Sequence, residues 1–251
     1  RRDLPRKTGQ DRGLMNVHGL KQRDDVYVRQ EWESLGICAG ITGRSFSGRD
    51  MANETRRLSQ VLGIGNRRIL YLDQQHTPDI VIDDGAVNGT AVGDGIITDR
   101  SDLLMVIRTA DCFPVFLFFP DRKVTALLHV GWKPAWRGIL KNAISLFLDP
   151  YRCDPAGLHV LLGPGLERRC FEVQPDFPGL DEFGRFIVPD GGLLYLDLGG
   201  YIVSVLTEAG VRSENIHDLE ICSACNTDTV YSWRREHTAN RTLSFIAYNH
   251  P

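Results

Sequence analysis

The stretch IRTADCFPVFLFFPDRKVTALLHVGWKPAWRG, residues 107–138, decides the fold of this chain. It contains two apolar segments, 113–119 and 124–128, which are separated by the short polar turn PDRK. Apolar segments of this length joined by a tight turn predict the two strands of a β-hairpin. We therefore expect a buried hairpin over this stretch.

The open end of this hairpin carries residues suited to metal chemistry. Pro114 cannot donate a ladder hydrogen bond and restricts the residue before it, so the chain should bend or restart at Cys112. His129 follows the second apolar segment directly. Cys112 and His129 are therefore expected to be neighbours, and His76 follows an earlier predicted strand, 68–72.

The constellation of His76, Cys112 and His129 predicts a metal site with one thiolate and two imidazoles. Catalytic zinc commonly has three protein ligands and a further position for water or substrate, whereas structural zinc has four protein ligands. The spacings of 36 and 17 residues differ from those of a zinc finger. The alternative is a small buried thiol and two ordinary loop histidines.

Outside the hairpin, the apolar pattern predicts helices and strands in mixed order. Helical spacing occurs over 137–148, 197–209 and 50–62, the last with Asp50 as N-cap and Gly63 as stop. Strand segments are expected at 36–42, 68–72, 96–98, 103–107, 158–162, 216–221 and 243–248. Paired strands with isolated helices indicate an α+β layered fold.

The N-terminal part of the chain differs from the remainder. Residues 1–34 are polar and have no sustained apolar period. They predict a flexible or loosely packed lead-in, with one short strand near Val26. Residues 35–251 are expected to form a single folded domain.

The composition is that of a globular protein without general affinity for polyanions. The 251 residues include 42% hydrophobic side chains, and the formal net charge is -3. This charge gives no general attraction to nucleic acid or to an anionic membrane. No apolar run reaches the roughly 18 to 20 residues of a membrane span, and a signal-peptide core is lacking, so we predict a cytoplasmic protein.

Six cysteines in a chain of this length do not indicate a disulfide framework. Cys222 and Cys225 form a CxxC pair, which could be half of a zinc knuckle or a redox pair. Because no second CxxC and no thioredoxin-like βαβ pattern accompany it, two ordinary thiols near a strand end are favoured. Cys38, Cys153 and Cys170 are expected to be structural.

Arginines supply candidate anion contacts, because the planar guanidinium can bind phosphate through two hydrogen bonds. Arg44 follows the first predicted core strand, and its alternative role is that of an ordinary exposed arginine. The other candidates are Arg137, Arg168, Arg169, Arg234 and Arg235. The glycine-containing segments 93–95 and 163–165 lack the spacing of nucleotide-binding loops.

Several motifs together resemble one known family. They are QQH at 74–76, TADCFPV at 109–115, HVGW at 129–132, GPG and CFEV within 163–173, CSAC at 222–225 and YSWRRE at 231–236. The family was once called multicopper polyphenol oxidases or laccase-domain proteins. Its members are also described as peptidoglycan editing factors and as purine nucleoside phosphorylases. The resemblance covers roughly residues 35–248.

The resemblance implies a fold with two central β-sheets flanked by helices and one zinc bound by His76, Cys112 and His129. It implies phosphorolysis of adenosine, inosine or methylthioadenosine, together with adenosine deamination. The expected partners are a purine nucleoside and phosphate. A copper oxidase needs several histidine-rich sites, and the seven histidines here form no HxH pair, so oxidase activity is not expected.

The motif positions also suggest roles for neighbouring residues. Asp111 is expected to act as a general acid or base beside Cys112. Arg44 is expected to contact phosphate, and the other predicted substrate-binding residues are Gln74, Lys133 and Arg137. The family commonly has HxGWRG where this chain has HVGWKP, so Lys133 replaces an arginine. If that arginine binds phosphate, Lys133 or Arg137 must do so here, and lysine does not reproduce a bidentate contact.

Two further functions stay open at this point. One is a hydrolase that edits misacylated cell-wall precursors, with Cys112 as nucleophile or zinc ligand. The other is a non-catalytic scaffold that contains zinc.

Overall fold

The protein is organised by a crossing of the chain between two β-sheets at residues 110–112. The computed structural model describes residues 19–65 and 67–249. The strand Leu103–Thr109 lies in a seven-stranded sheet, and Phe113–Phe119 lies in a six-stranded sheet. The break expected at Cys112 is therefore a change of sheet, and the two sheets converge at this turn.

Within the described residues, the seven-stranded sheet is mixed, with parallel and antiparallel pairs. In chain order its strands are β1 (Leu20–Arg23), β2 (Val26–Arg29), β3 (Ile37–Thr42), β4 (Arg68–Asp73), β6 (Gly89–Val92), β8 (Leu103–Thr109) and β16 (Thr242–Tyr248). Their spatial order is β1-β2-β3-β16-β8-β4-β6.

The six-stranded sheet has the predicted hairpin at its centre. In chain order its described strands are β5 (Ile80–Ile82), β7 (Gly95–Thr98), β9 (Phe113–Phe119), β10 (Val124–Val130), β11 (His159–Leu162) and β15 (Ile216–Asp218). Their spatial order is β15-β11-β9-β10-β7-β5. His129 pairs with Pro114 across the hairpin, which confirms that His129 and Cys112 are neighbours at its open end.

A small third sheet was not anticipated by the sequence pattern. It contains the described strands β12 (Glu172–Val173), β13 (Ile187–Asp190) and β14 (Leu193–Leu196), in the order β12-β14-β13. Its strands are short, and most of their residues are half-buried or exposed. They therefore lack the long apolar runs by which the central strands are recognised.

The layered arrangement of sheets and helices is seen in the two faces of β9, which pack against different partners. Phe116 and Phe118 face the other sheet and pack with Met105 and Ile107 of β8. The alternate residues of β9, such as Leu117, pack against helices on the outer side. Both faces of the hairpin are thus covered, and the α+β layered fold with two central sheets flanked by helices is confirmed.

Helices cover the outer faces of both central sheets. The described helices are Gln30–Glu33, Met51–Leu62, Trp132–Trp136, Ile139–Leu148, Leu180–Phe183, Leu198–Glu208 and Trp233–Glu236. Met51–Leu62 packs on the seven-stranded sheet through Leu58 and Leu62. Ile139–Leu148 and Leu198–Glu208 pack on the six-stranded sheet. None of the helices in the described ranges combines the length and apolarity needed to cross a bilayer.

Local signals set most helix boundaries where they were expected. The carboxylate of Asp50 accepts a hydrogen bond from Asn53 N at 3.2 Å, and Gly63 ends the helix with a φ of 67°. Asp197 caps Leu198–Glu208 in the same way. The helix predicted over 137–148 begins at Ile139 instead, because Gly138 adopts a φ of 91° that interrupts it.

The first described residues belong to the seven-stranded sheet. The strand expected near Val26 is present and pairs with both neighbouring strands. Val26 and Val28 are fully buried. Residues 20–29 therefore lie in the same sheet as strands from residues 37–42 and 242–248, and the domain boundary at residue 35 stays a prediction. The remainder of the predicted lead-in, 1–18, lies outside the described residues.

One buried ion pair connects the two central sheets at an edge. Arg68 on β4 donates to Asp83 Oδ1 at 3.0 Å and to Oδ2 at 2.7 Å. The Asp83 side chain is 0% exposed, and that of Arg68 is 18% exposed. Burial alone would raise the pKa of Asp83, but the hydrogen bonds from Arg68 lower it.

The variant Asp83→Asn is expected to lower the free energy of unfolding by about 3 kcal/mol, because it leaves the Arg68 charge without its buried partner. Denaturant unfolding at pH 7 measures this change. As a control, Arg185→Ala removes an ion pair with Glu208 in which both side chains are about 70% exposed, and should cost no more than about 1 kcal/mol. Equal stabilities of the two variants would contradict a stabilising role of the buried Arg68–Asp83 ion pair.

Candidate functional site

Three potential metal ligands converge where the chain crosses between the sheets. Cys112 lies in the crossing turn, His129 near the end of β10 and His76 in the loop after β4. Their ligand atoms all lie within 4.8 Å of one another. The two imidazole rings are edge-to-face, with centroids 4.9 Å apart. The structure thus brings together all three residues that the sequence predicts as metal ligands.

Asp94 is the residue that orients this group, and the sequence pattern did not single it out. Its side chain is fully buried, and Oδ1 lies 2.8 Å from His129 Nδ1. Its Oδ2 accepts hydrogen bonds from Gln75 N at 3.1 Å and Thr77 N at 2.7 Å. One carboxylate therefore fixes the His129 ring and the loop on both sides of His76. An Asp–His pair of this kind directs the Nε2 atom toward a metal.

The electrostatics of the group favour a thiolate at Cys112. Burial by itself would raise the pKa of the thiol, but the imidazoles of His129 and His76 lower it to about 6. Burial opposes charge on His129 as well, yet Cys112 and Asp94 raise its pKa to about 9. Without a metal, the cysteine and histidine therefore stabilise each other as an ion pair. A metal ion would replace the imidazole proton as the partner of the thiolate.

The glycine of the HVGW motif has a steric role at this site. A Cβ atom on Gly131 would lie 2.6 Å from Cys112 Sγ and 3.7 Å from His76 Cδ2. Its φ of −87° is open to any residue, so close approach and not backbone conformation requires glycine here.

Two residues of the site have left-handed backbone conformations. His76 has a φ of 57° and Asp111 a φ of 88°. Such angles are uncommon for residues with a side chain and persist where surrounding contacts hold them. Arg137 Nη1 supplies one such contact, since it donates to the carbonyl oxygen of His76 at 3.1 Å.

The three ligands lie at one side of a cavity of about 590 Å³. This volume is within the range of small-molecule sites. The apolar part of the lining consists largely of Trp132, Leu166, Phe171, Leu198 and Trp233. Trp233 is 50% exposed, which leaves an aromatic face available at the cavity mouth.

The polar part of the lining is strongly cationic. It includes Arg108, Lys133, Arg234 and Arg241. None of these four forms an ion pair with a carboxylate within residues 19–65 and 67–249. Burial and the nearby charge of Arg108 lower the pKa of Arg241, and the charges of Asp111 and Cys112 offset this only in part. Two like charges held together in this way favour an anion between them.

Asp111 organises the opposite wall of the cavity. Its Oδ1 accepts hydrogen bonds from Ser223 Oγ at 2.7 Å and Ser232 Oγ at 2.6 Å, and its Oδ2 accepts from Arg234 N at 2.6 Å. These three donors come from segments more than 100 residues away in the chain. The carboxylate is thus engaged in fixing the wall, which favours a positioning role over the acid or base role predicted for it.

Gln74 has a similar positioning role for Arg108. Its amide nitrogen donates to the Arg108 carbonyl and its amide oxygen accepts from Arg108 N, both at 2.8 Å. Gln74 and Lys133 both line the cavity, so the structure brings them together with the metal ligands as the sequence predicts.

Arg44 is not brought to this cavity, which corrects the position expected for it. Its Nη2 donates to Glu236 Oε1 at 2.9 Å, and its Nη1 donates to the carbonyl oxygen of Thr227 at 2.6 Å. The guanidinium also lies 4.2 Å from the centre of the Tyr231 ring. Arg44 therefore holds the C-terminal segment in place. Arg137 is also absent from the cavity lining and acts on the site through the His76 carbonyl.

The fold and these contacts define a layered α+β protein with a three-donor candidate metal centre in a cationic cavity. The chain belongs to the family described as multi-copper polyphenol oxidoreductase laccase, whose model matches residues 19–249. The family membership expected from the TADC and HVGW motifs is thereby confirmed.

Several relatives have names that refer to nucleosides. A protein of Clostridium acetobutylicum called purine nucleoside phosphorylase is 32% identical over 92% of this chain and 99% of its own length. The purine nucleoside phosphorylase YlmD of Geobacillus stearothermophilus is 29% identical over 78% of each chain.

Solved structures agree on the fold. The crystal structure of the hypothetical protein YfiH from Bacillus licheniformis matches with a TM-score of 0.80 at 21% identity, over 92% of this chain and 100% of that one. The crystal structure of YlmD from Geobacillus stearothermophilus matches with a TM-score of 0.79 at 24% identity, over 91% and 97%.

The pKa of Cys112 predicts its reactivity in metal-free protein. After chelation and removal of metal, the alkylation rate of Cys112 by iodoacetamide should rise with a midpoint near pH 6, because the thiolate is the reacting form. Quantitative mass spectrometry of the peptide that contains Cys112 measures the rate at each pH. In Asp94→Asn the midpoint should move upward, since His129 loses a carboxylate that favours its charge. A wild-type midpoint near the ordinary value of 9.0 would contradict the ion pair.

Proposed function

We propose that this protein is a zinc-dependent purine nucleoside phosphorylase, which converts a purine nucleoside and phosphate into free base and ribose 1-phosphate. The names of the relatives support this proposal. The observation that carries it is the presence, in one cavity, of a metal-ligand group and of arginines that form no direct ion pair with a carboxylate of the described residues. Phosphorolysis needs both an anion site and a means to activate the reacting bond.

The donor set fits zinc. One thiolate and two imidazoles are common zinc ligands, and three protein ligands are typical of a catalytic site. Asp94 provides the carboxylate partner that such a histidine commonly has. When bound, zinc would supply a Lewis acid that polarises a substrate oxygen or nitrogen beside Cys112.

Phosphate binding is assigned to Arg108 and Arg241. Both residues line the cavity, and Arg108 is close enough to Arg241 to lower its pKa. Backbone carbonyl oxygens of Thr238 and Asn240 accept from Arg241 Nη1 at 2.8 Å, which limits the conformations of the side chain. A phosphate between the two arginines would accept charge-assisted hydrogen bonds and relieve their mutual repulsion.

The apolar wall is suited to a purine base. Phe171 and Leu166 are buried side chains of this wall, and Trp233 presents an exposed ring at the mouth. Aromatic faces of this kind bind nucleobases by stacking. Arg234, whose guanidinium lies 5.6 Å from the centre of the Phe171 ring, adds a donor near the base.

Phosphorolysis needs no reactant other than the nucleoside and phosphate. A phosphate oxygen forms a bond to C1′ of the ribose, and the bond between C1′ and the base nitrogen breaks. The electron pair of that bond leaves with the base, which takes up the proton that phosphate loses. The protein's contribution is to hold both reactants in line, through Arg108 and Arg241 on one side and the apolar wall on the other.

Replacing either cavity arginine should weaken phosphate binding selectively. In Arg108→Met or Arg241→Met, the KM for phosphate is expected to rise about 10- to 100-fold, since each loses charge-assisted hydrogen bonds worth roughly 1.5 to 3 kcal/mol. The assay follows hypoxanthine and ribose 1-phosphate from inosine by chromatography at varied phosphate. Arg212→Met, an exposed residue outside the cavity, is the matched control and should leave this KM unchanged.

The same assay distinguishes the other predicted activities. With adenosine, phosphorolysis releases adenine, whereas deamination produces inosine. A cell-wall editing hydrolase would release an amino acid from a misacylated muramyl nucleotide and would leave nucleosides intact. If no base forms in a phosphate-dependent manner at high enzyme concentration, the proposal is wrong.

A further inference from the structure

A second group of three potential metal ligands lies outside the cavity. Cys170, Cys222 and Cys225 have Sγ atoms that all lie within 4.8 Å of one another. The Sγ atoms of Cys170 and Cys225 are 3.5 Å apart, and none of the three is in a disulfide. The fold thus adds Cys170, which the sequence pattern left as an isolated structural cysteine, to the CxxC pair.

We propose that Cys170, Cys222 and Cys225 form a second zinc site, with a structural role, in addition to the site at Cys112. In a tetrahedral zinc site, a metal–sulfur distance of about 2.3 Å places the sulfur atoms about 3.8 Å apart. The Cys170–Cys225 distance of 3.5 Å is close to this value, and the other Sγ atoms lie within 4.8 Å. A disulfide, in contrast, joins sulfur atoms at about 2.05 Å and would leave one of the three cysteines without a partner.

The local backbone matches the geometry of a zinc knuckle. Cys225 N and Asn226 N both donate to the carbonyl oxygen of Cys222, at 3.2 and 3.1 Å, so the CxxC segment closes into a turn. Backbone N–H groups of Glu167 and Cys225 are directed to the thiol of Cys222. Donors of this kind stabilise a thiolate, which is the form of cysteine that binds metal.

The third cysteine is held in place independently of the CxxC turn. Cys170 ends the 3-10 turn Arg168–Cys170, and its N–H donates to the carbonyl oxygen of Glu167 at 2.8 Å. Gly165, two residues before Glu167, forms a parallel bridge with Cys222. The two segments that carry the cysteines are therefore already joined by backbone contacts, and the site does not depend on a metal to bring them together.

The surrounding charge is consistent with a divalent cation. Arg169 interacts electrostatically with all three cysteines. The formal charge is zero when three thiolates are combined with one zinc ion and the Arg169 guanidinium. Without the zinc ion, three thiolates at these distances would repel one another strongly. Zinc is favoured over calcium or magnesium because all three donors are sulfur. The fourth ligand of a structural site would be a neighbouring carboxylate such as Glu167, which interacts electrostatically with Cys222.

A structural role follows from the position of the group beside the cavity wall. Ser223, within the CxxC segment, donates to Asp111 Oδ1 at 2.7 Å. Phe171, the residue after Cys170, lines the cavity. A metal at the three cysteines would therefore fix two segments that shape the wall, although none of the three cysteines is itself part of the lining.

Metal analysis of the full chain tests the second site without any assay of activity. Wild-type protein purified without chelators is expected to hold about two zinc ions per chain, as measured by inductively coupled plasma mass spectrometry. Cys170→Ser and Cys225→Ser should each hold about one, and Cys112→Ser should also hold about one. The matched control is Cys153→Ser, a buried cysteine outside both groups, which should keep both ions.

A second measurement covers the case in which Cys170→Ser and Cys225→Ser do not fold. Cobalt-loaded wild-type protein has thiolate-to-metal absorption from both sites, and Cys112→Ser should retain about three quarters of it, because three of the four thiolates remain. Loss of all this absorption in Cys112→Ser would overturn the proposal. So would a wild-type content of one zinc that Cys225→Ser leaves unchanged, or a disulfide among the three cysteines in the purified protein.

Discussion

The buried carboxylate of Asp94 is the contact on which the site depends. It joins His129, at the end of a central strand, to the loop that carries His76, through four hydrogen bonds to its two oxygens. Burial alone would raise the pKa of Asp94, but hydrogen bonds from His129 and Thr77 lower this pKa to about 2. Asp94 therefore stays ionised at neutral pH and holds both histidines in position for a metal.

The change of sheet at residues 110–112 explains why the candidate metal ligands and Asp111 gather here. Cys112 lies where strands of two different sheets meet, so the turn is accessible although both adjoining strands are buried. Asp111, in the same turn, fixes segments from the C-terminal third of the chain against it. One short turn thus places a thiolate beside the imidazoles and anchors the cationic wall of the cavity.

The sequence predicted the features that depend on residues close together in the chain. The hairpin and the meeting of Cys112 with His129 follow from strand pairing across a short turn, and Pro114 signalled the break at Cys112. Asp94 and Arg241 were missed because their roles arise only where distant segments converge. Arg44 shows the converse, since a glutamate 192 residues away holds its guanidinium outside the cavity. Cys170 likewise joins Cys222 and Cys225 only through the fold.

We propose that His76, Cys112 and His129 bind one metal ion. The most direct test is a crystal structure of the protein as purified, with anomalous diffraction measured on both sides of the zinc absorption edge. A zinc peak about 2.0 to 2.3 Å from His76, Cys112 and His129 is the predicted result. A map with no anomalous peak between these three side chains, from protein never exposed to chelator, would contradict the account.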